Sequence, residues 1–210
     1  MPQTAPQPPA LELIGARTGN CLRVAIAMEE AGLAYAVRRL NLRDGEQRSP
    51  SHLRLNPAGK VPTLIDRRGP ETLTISQSNA ILLHLARTTS GLLLPEDPAR
   101  HALALERFFY FVTDVIGPSH AAFRARQLGD DDAADHLDGV AVMALAAANA
   151  FPAPGGYMAG DNVTLADIAA FTIAGSYRTV LDLGKFANFV AWYQRMGTRT
   201  AVLRGMGAWD

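Results

Sequence analysis

A single cysteine, Cys21, stands in 210 residues. No intrachain disulfide can form, so the fold must rest on its core, and a reducing compartment, the cytoplasm, is expected. Net charge is missing too: twenty Lys and Arg balance twenty Asp and Glu. No global field then favours nucleic acid or an anionic membrane, and basic pairs such as Arg38-Arg39 and Arg67-Arg68 are too short to track phosphates. Long apolar runs are also lacking; the nearest, residues 140–150, is Ala-rich, short and broken by Asn149, so no membrane span is expected. The histidines at 52, 84, 101, 120 and 136 show no metal-ligand spacing, and no metal is expected. Gly-rich phosphate loops and a Ser-His-Asp order are absent as well, which removes support for nucleotide or hydrolase chemistry. The first ten residues, with four prolines, lack the basic and apolar regions of a signal peptide and read as a disordered tail over 1–9.

What is present is a 48% hydrophobic chain, long enough to bury a full core. Leu11-Glu12-Leu13-Ile14 reads as a strand, followed by a turn-rich loop, 15–20. A helix is expected from about Cys21 to Ala31, with Val24, Ala27, Met28 and Ala31 at helical spacing and Gly32 as its stop. Residues 34–42 read as a second strand, completing a parallel βαβ unit. A short helix over 50–55 and strands at 61–66 and 72–75, joined by Arg67-Arg68-Gly69-Pro70, precede a helix starting at Ser76 or Gln77. This order predicts an α/β thioredoxin-like domain over 10–90 with a mixed sheet. A Pro-punctuated linker occupies 91–99, and 100–210 form an all-helical domain, with helices at 99–116, 119–127, 131–150, 165–181 and 186–196. Thr164 and Asp167 have capping-box spacing, and helix nucleation is the preferred reading over any catalytic role for Asp167.

The most telling segment is Asn56-Pro57-Ala58-Gly59-Lys60-Val61-Pro62, a turn that runs a proline into a strand. Proline deletes a ladder donor there. A cis Val61-Pro62 bond would instead turn the neighbouring backbone outward, to pair with a bound peptide-like molecule. Three elements then converge: residues 18–20 before the first helix, the Lys60-Val61-Pro62 turn, and Gln77-Ser78 at a helix start. Unpaired N–H groups and the positive dipole end favour anions at both helix starts. Singly, each element is an ordinary cap or turn; together they suit a ligand with carboxylates, a peptide backbone and a thiolate.

The chain resembles the cytosolic glutathione transferases over about residues 11–208. The resemblance is carried by residues 18–33 (Thr-Gly-Asn-Cys-Leu-Arg-Val-Ala-Ile-Ala-Met-Glu-Glu-Ala-Gly-Leu), 56–64 (Asn-Pro-Ala-Gly-Lys-Val-Pro-Thr-Leu) and 75–86 (Ile-Ser-Gln-Ser-Asn-Ala-Ile-Leu-Leu-His-Leu-Ala). Residues 159–169 and 192–202 carry it in the second domain. It implies a glutathione co-substrate and a small electrophilic or disulfide second substrate bound between the domains, in a homodimer with a role in detoxification. By the same resemblance Val61 pairs with the cysteinyl backbone beside a cis Pro62, Gln77 and Ser78 hold the γ-glutamyl end, and Lys60 and Gln47 reach the glycyl or γ-glutamyl portions.

Thr18 falls where hydroxyl-using classes keep a serine, and Asn20 where a bacterial class keeps a cysteine. The Thr-x-Asn pair is most similar to bacterial and fungal classes that place Thr and Asn at the glutathione sulfur, some of which reduce disulfides or peroxides. Neither side chain is a base at neutral pH; their implied role is donation to a thiolate. Two other readings stand beside this one: a non-catalytic binding module on the same fold, and a glutathionyl-transfer enzyme that uses Cys21 at the helix start. Cys21 has no Cys-x-x-Cys partner, since residue 24 is Val, and as a small buried hydrophobe it needs no chemistry. Arg124 and Arg126 lie on a helix facing the expected cleft, as candidates for a ligand carboxylate or the sulfur.

Overall fold

The structure is a computed structural model and describes residues 7–177 and 185–210. It begins β1 (Leu11–Gly15), α1 (Gly19–Glu30), β2 (Ala36–Arg39), a 3-10 turn (Glu46–Arg48), α2 (Pro50–Leu53), β3 (Thr63–Asp66), β4 (Leu73–Ser76) and α3 (Ser78–Thr88). The four strands form one sheet in the order β2-β1-β3-β4; β1 and β2 run parallel, and the other two pairings are antiparallel. This is the thioredoxin-like mixed sheet expected from the sequence. The central strands β1 and β3 carry its buried residues, while edge strand β2 is shorter than the expected 34–42.

The helical part comprises α4 (Pro98–Tyr110), α5 (Gly117–Gln127), α6 (Asp131–Ala147), α7 (Leu165–Ala174), α8 (Ala187–Gly197) and α9 (Thr200–Gly207). A π-helical segment, Phe111–Ile116, joins α4 to α5, and the Gly117 N–H bonds to the Val112 carbonyl. Pro118 has no N–H to return to Asp114, so the α-helical ladder cannot continue unbroken there. The helix expected over 165–181 ends at Ala174 and passes into a 3-10 turn, Gly175–Tyr177; the remainder of that span, like residues 1–6 of the expected tail, lies outside the described residues. No helix among the described residues is long and apolar enough to cross a membrane.

α1 is almost fully buried, with Cys21 and every residue from Arg23 to Met28 inside, because it packs against α3, α7 and α9 at once. α7 is the apolar centre of the helical part. The box at its start is present as the sequence suggested. Asp167 accepts from the Thr164 N–H and hydroxyl with one oxygen, and from the Met158 N–H and Trp192 Nε1 with the other, at 2.8–3.0 Å. Four donors leave this carboxylate fully engaged in structure, so it has no free oxygen for chemistry.

Candidate active site

α1 starts two residues earlier than the sequence pattern indicated. Thr18 is its N-cap, with extended backbone and a side-chain oxygen that accepts from the Cys21 N–H at 3.4 Å. Asn20 therefore sits in the first helical turn rather than in a loop. That places Arg23, one turn further, directly beneath it: Arg23 Nη1 donates to Asn20 Oδ1 at 2.9 Å. The same nitrogen donates to Ser78 Oγ at 2.9 Å and Asn79 Oδ1 at 3.4 Å, and Nε donates to Thr172 Oγ1 at 3.1 Å. Ser78 Oγ also lies 3.4 Å from Asn20 Oδ1, so its hydroxyl can donate there. Arg23 is 1% exposed. The sequence reading missed it; the available signal was a charge in the middle of an otherwise apolar helix.

The second wall is the turn. Asn56 is buried; its Nδ2 donates to the Lys60 carbonyl at 2.7 Å and its Oδ1 accepts from the Ala58 N–H at 3.1 Å. His52 Nε2 donates to the same carbonyl at 3.0 Å, which fixes its tautomer because a carbonyl only accepts. Gly59 takes φ +59°, a conformation that favours glycine, with Gln47's carbonyl 3.3 Å from where a Cβ would stand. The Val61-Pro62 bond is cis. The ladder starts only at Thr63, paired with Ile14 and Ser76, so Val61 stands beyond it on the cleft wall.

The third wall is the start of α3. Gln77, its N-cap, holds φ 73° and ψ 109° without a side-chain cap. Positive φ on a non-glycine residue is strained, and it turns this side chain outward to the cleft it lines.

These walls enclose a cleft of about 400 Å³ that brings together Thr18, Asn20, Gln47, Lys60, Val61, Pro62, Gln77 and Ser78, all eight residues expected at the site. Gln47 donates to the Leu42 carbonyl at 3.4 Å, leaving its buried Oε1 without a protein partner. The opposite side is closed by α5 through His120, Phe123 and Arg124. Sequence reasoning had flagged Arg124 but not His120 or Phe123. Arg126 points elsewhere, paired with Asp135 and Asp138 at 2.8 and 2.6 Å. No acidic side chain lines the cleft among the described residues. Partial burial, together with Arg23, Arg124 and Lys60, pushes the His120 imidazole below its ordinary pKa. Burial lowers Arg23 to about 10, which leaves it a cation at neutral pH.

Cys21 is fully buried and packs on Gly15, where an added Cβ would lie 2.6 Å from its sulfur. Burial pushes the thiol pKa up, against a hydrogen bond from Thr18. A thiolate is the reactive form, so this environment disfavours Cys21 as nucleophile. Among the described residues no group of acids, cysteines and histidines could hold a metal ion.

The glutathione S-transferase N-terminal domain matches residues 9–87 and the glutathione S-transferase C-terminal domain residues 112–199. The chain belongs to the glutathione S-transferase family. It is 32% identical over 202 residues to the maleylacetoacetate isomerase maiA of Aspergillus fumigatus, spanning 90% of this chain and 86% of that one. It is 28% identical over 198 residues to the disulfide-bond oxidoreductase YfcG of Escherichia coli, spanning 91% and 92%. Among solved structures, a glutathione transferase from Pseudomonas putida with one glutathione disulfide bound per subunit superposes with a TM-score of 0.84 at 25% identity, covering 96% of this chain and 93% of that one.

Proposed function

We propose that this transferase binds glutathione in the cleft, ionises its thiol, and uses the thiolate on a small second substrate. The observation that carries this is the convergence of two helix starts and the Lys60-Val61-Pro62 turn on one cationic cleft, free of acids among the described residues. Val61 offers main-chain groups to the cysteinyl backbone; Gln77 and Ser78 take the γ-glutamyl end; Lys60 and Gln47 serve the remaining polar groups. Thr18 and Asn20 are the donors at sulfur. The Thr18 oxygen accepts the Cys21 N–H, and its own proton, which faces the Cys21 sulfur in the ligand-free protein, would turn to the glutathione sulfur. Each pKa unit by which these donors lower the thiol is worth about 1.4 kcal/mol of preference for the nucleophile.

Disulfide reduction is favoured over conjugation. The α5 side of the cleft adds Arg124 and His120 to Lys60 without an acid, which suits a second substrate carrying carboxylates, and Phe123 offers an exposed ring beside them. YfcG is a disulfide-bond oxidoreductase, and the Pseudomonas putida structure holds glutathione disulfide. In this reaction the thiolate attacks one sulfur of the disulfide, forms a mixed disulfide and expels the other half as a thiolate, which takes up a proton.

Calorimetry with reduced and oxidised glutathione tests the site: binding of at least one is expected, and no heat from either overturns the assignment. Turnover of small disulfides faster than halogenated aromatics is expected. Zero turnover on both and on peroxides would instead favour a binding module. A cytoplasmic homodimer with a role in detoxification completes the proposal. Half-exposed Leu73 on β4 and Leu103 and Phe109 on α4 supply apolar surface for a second copy. Light scattering should return twice the chain mass.

A further inference from the structure

Arg23 is a fully buried cation, and the cleft chemistry described above does not use it directly. It is 1% exposed and has no carboxylate partner among the described residues. Its four acceptors, on Asn20, Ser78, Asn79 and Thr172, are all neutral. Burying a charge without a counter-ion is unfavourable, and a neutral or apolar residue of similar volume would serve packing alone at less cost. The arrangement makes sense when the counter-charge arrives with a ligand.

The geometry shows how the charge would be used. Arginine carries only donors, so the Asn20 atom facing Nη1 must be the amide oxygen. With Oδ1 held, the Asn20 Nδ2 hydrogens are left for the cleft that Asn20 lines. A lysine could not span the same set, since one compact ammonium cannot reach Thr172 on α7 through one nitrogen and Asn20 and Ser78 through another.

We propose that Arg23 is a positioning residue for the glutathione sulfur: it fixes the Asn20 amide with its NH₂ toward the thiolate and supplies the buried positive charge behind that contact. The assignment rests on the reading of the cleft as a glutathione site. The other titratable or charged groups around the bound thiol are Cys21 on α1, Lys60 in the turn, and His120 and Arg124 on α5. α3 and α7 contribute only the uncharged Ser78, Asn79 and Thr172 to the Arg23 network.

The test is the ionisation of bound glutathione, followed by thiolate ultraviolet absorbance and by the pH profile of kcat/KM. In the wild-type protein the bound thiol should ionise well below the free value of about 8.5. Arg23→Met should raise that pKa by about one unit or more, a roughly tenfold drop in the ionisation constant of the bound thiol. Arg23→Lys should recover part of the shift because it keeps the charge. In an Asn20→Ala background, the Arg23→Met effect should shrink, since it acts through the amide. A folded Arg23→Met with a wild-type profile and only lower thermal stability would overturn the proposal. Should that variant not fold, the side-chain amide resonances of Asn20 in the ¹⁵N-labelled wild-type complex decide. They should shift as the thiol titrates and stay still with S-methylglutathione; an amide blind to thiol ionisation overturns the proposal. Failure of the wild-type protein to bind glutathione would sink the cleft reading itself, whereas tight binding with an ordinary thiol pKa sinks the Arg23 role alone.

Discussion

Gly205 of α9 lies against Ile26 of α1 so closely that a β-carbon would stand 2.6 Å from the Ile26 Cα and 2.7 Å from its backbone nitrogen. The last helix of the chain thus clamps the helix that carries Thr18, Asn20 and Arg23. Helix propensity alone would reward Gly205→Ala by about 1 kcal/mol. Here sterics win, because the obstacle is backbone and cannot rotate away. Gly205→Ala should destabilise the protein by roughly 1–3 kcal/mol in chemical denaturation, and turnover should fall as α1 shifts. Unchanged stability would show that the α1–α9 contact is looser than described.

Asn20 and Cys21 are neighbours with opposite expected consequences. Asn20→Ala removes the proposed donor to the sulfur and should cost about 10²–10³ in kcat, the scale seen when an oxyanion-type donor is deleted. Cys21→Ala should keep turnover within a few-fold while lowering the melting temperature, since its sulfur fills the space above Gly15. The reverse order in steady-state kinetics would make Cys21 the nucleophile.

Asn56 holds the turn that presents Val61. Asn56→Ala deletes two hydrogen bonds and leaves the Lys60 carbonyl with only His52. A stability loss of about 2 kcal/mol is expected. The KM for glutathione should rise more than kcat falls, because the change displaces binding groups and not the donors at sulfur. A kcat effect with unchanged KM would place the turn's role elsewhere.

His120 gives the ligand-free protein an acid sensitivity. Its pKa is lowered in the folded state, so on acidification from about pH 6.5 the unfolded chain takes up a proton that the folded one resists. Stability should therefore be unaffected by this group above that pH and fall below it. His120→Gln should lose less stability than wild type between neutral pH and mild acid in thermal scans. A parallel decline in both proteins would show that the imidazole is not perturbed.

Much of this was legible from local pattern. The βαβ opening, the β3–β4 hairpin and the Thr164–Asp167 box depend on residues within a few positions of each other, where periodicity, turn chemistry and caps are read directly. The eight expected site residues are also where the cleft is, because each sits at an element boundary marked by Pro, Gly or a hydroxyl cap. The start of α1 was set two residues late, since Gly19 and Asn20 are weak helix formers that Thr18 nonetheless caps into the first turn. The π segment before α5 and the short helix α9 were not read from the pattern either.

The sequence alone determined the three segments that line the cleft, the family, and the cis turn after Lys60, all carried by short contiguous motifs. Only the tertiary structure decided what joins them. In the chain, Arg23 is one charge between Leu22 and Val24; its meaning comes from Asn20, Ser78 and Thr172, which lie up to 149 positions from it. His120, Phe123 and Arg124 likewise face the cleft because α5 crosses it. The physical reason is the same in each instance. Burial and charge complementarity are properties of the packed neighbourhood, and no window of sequence contains it.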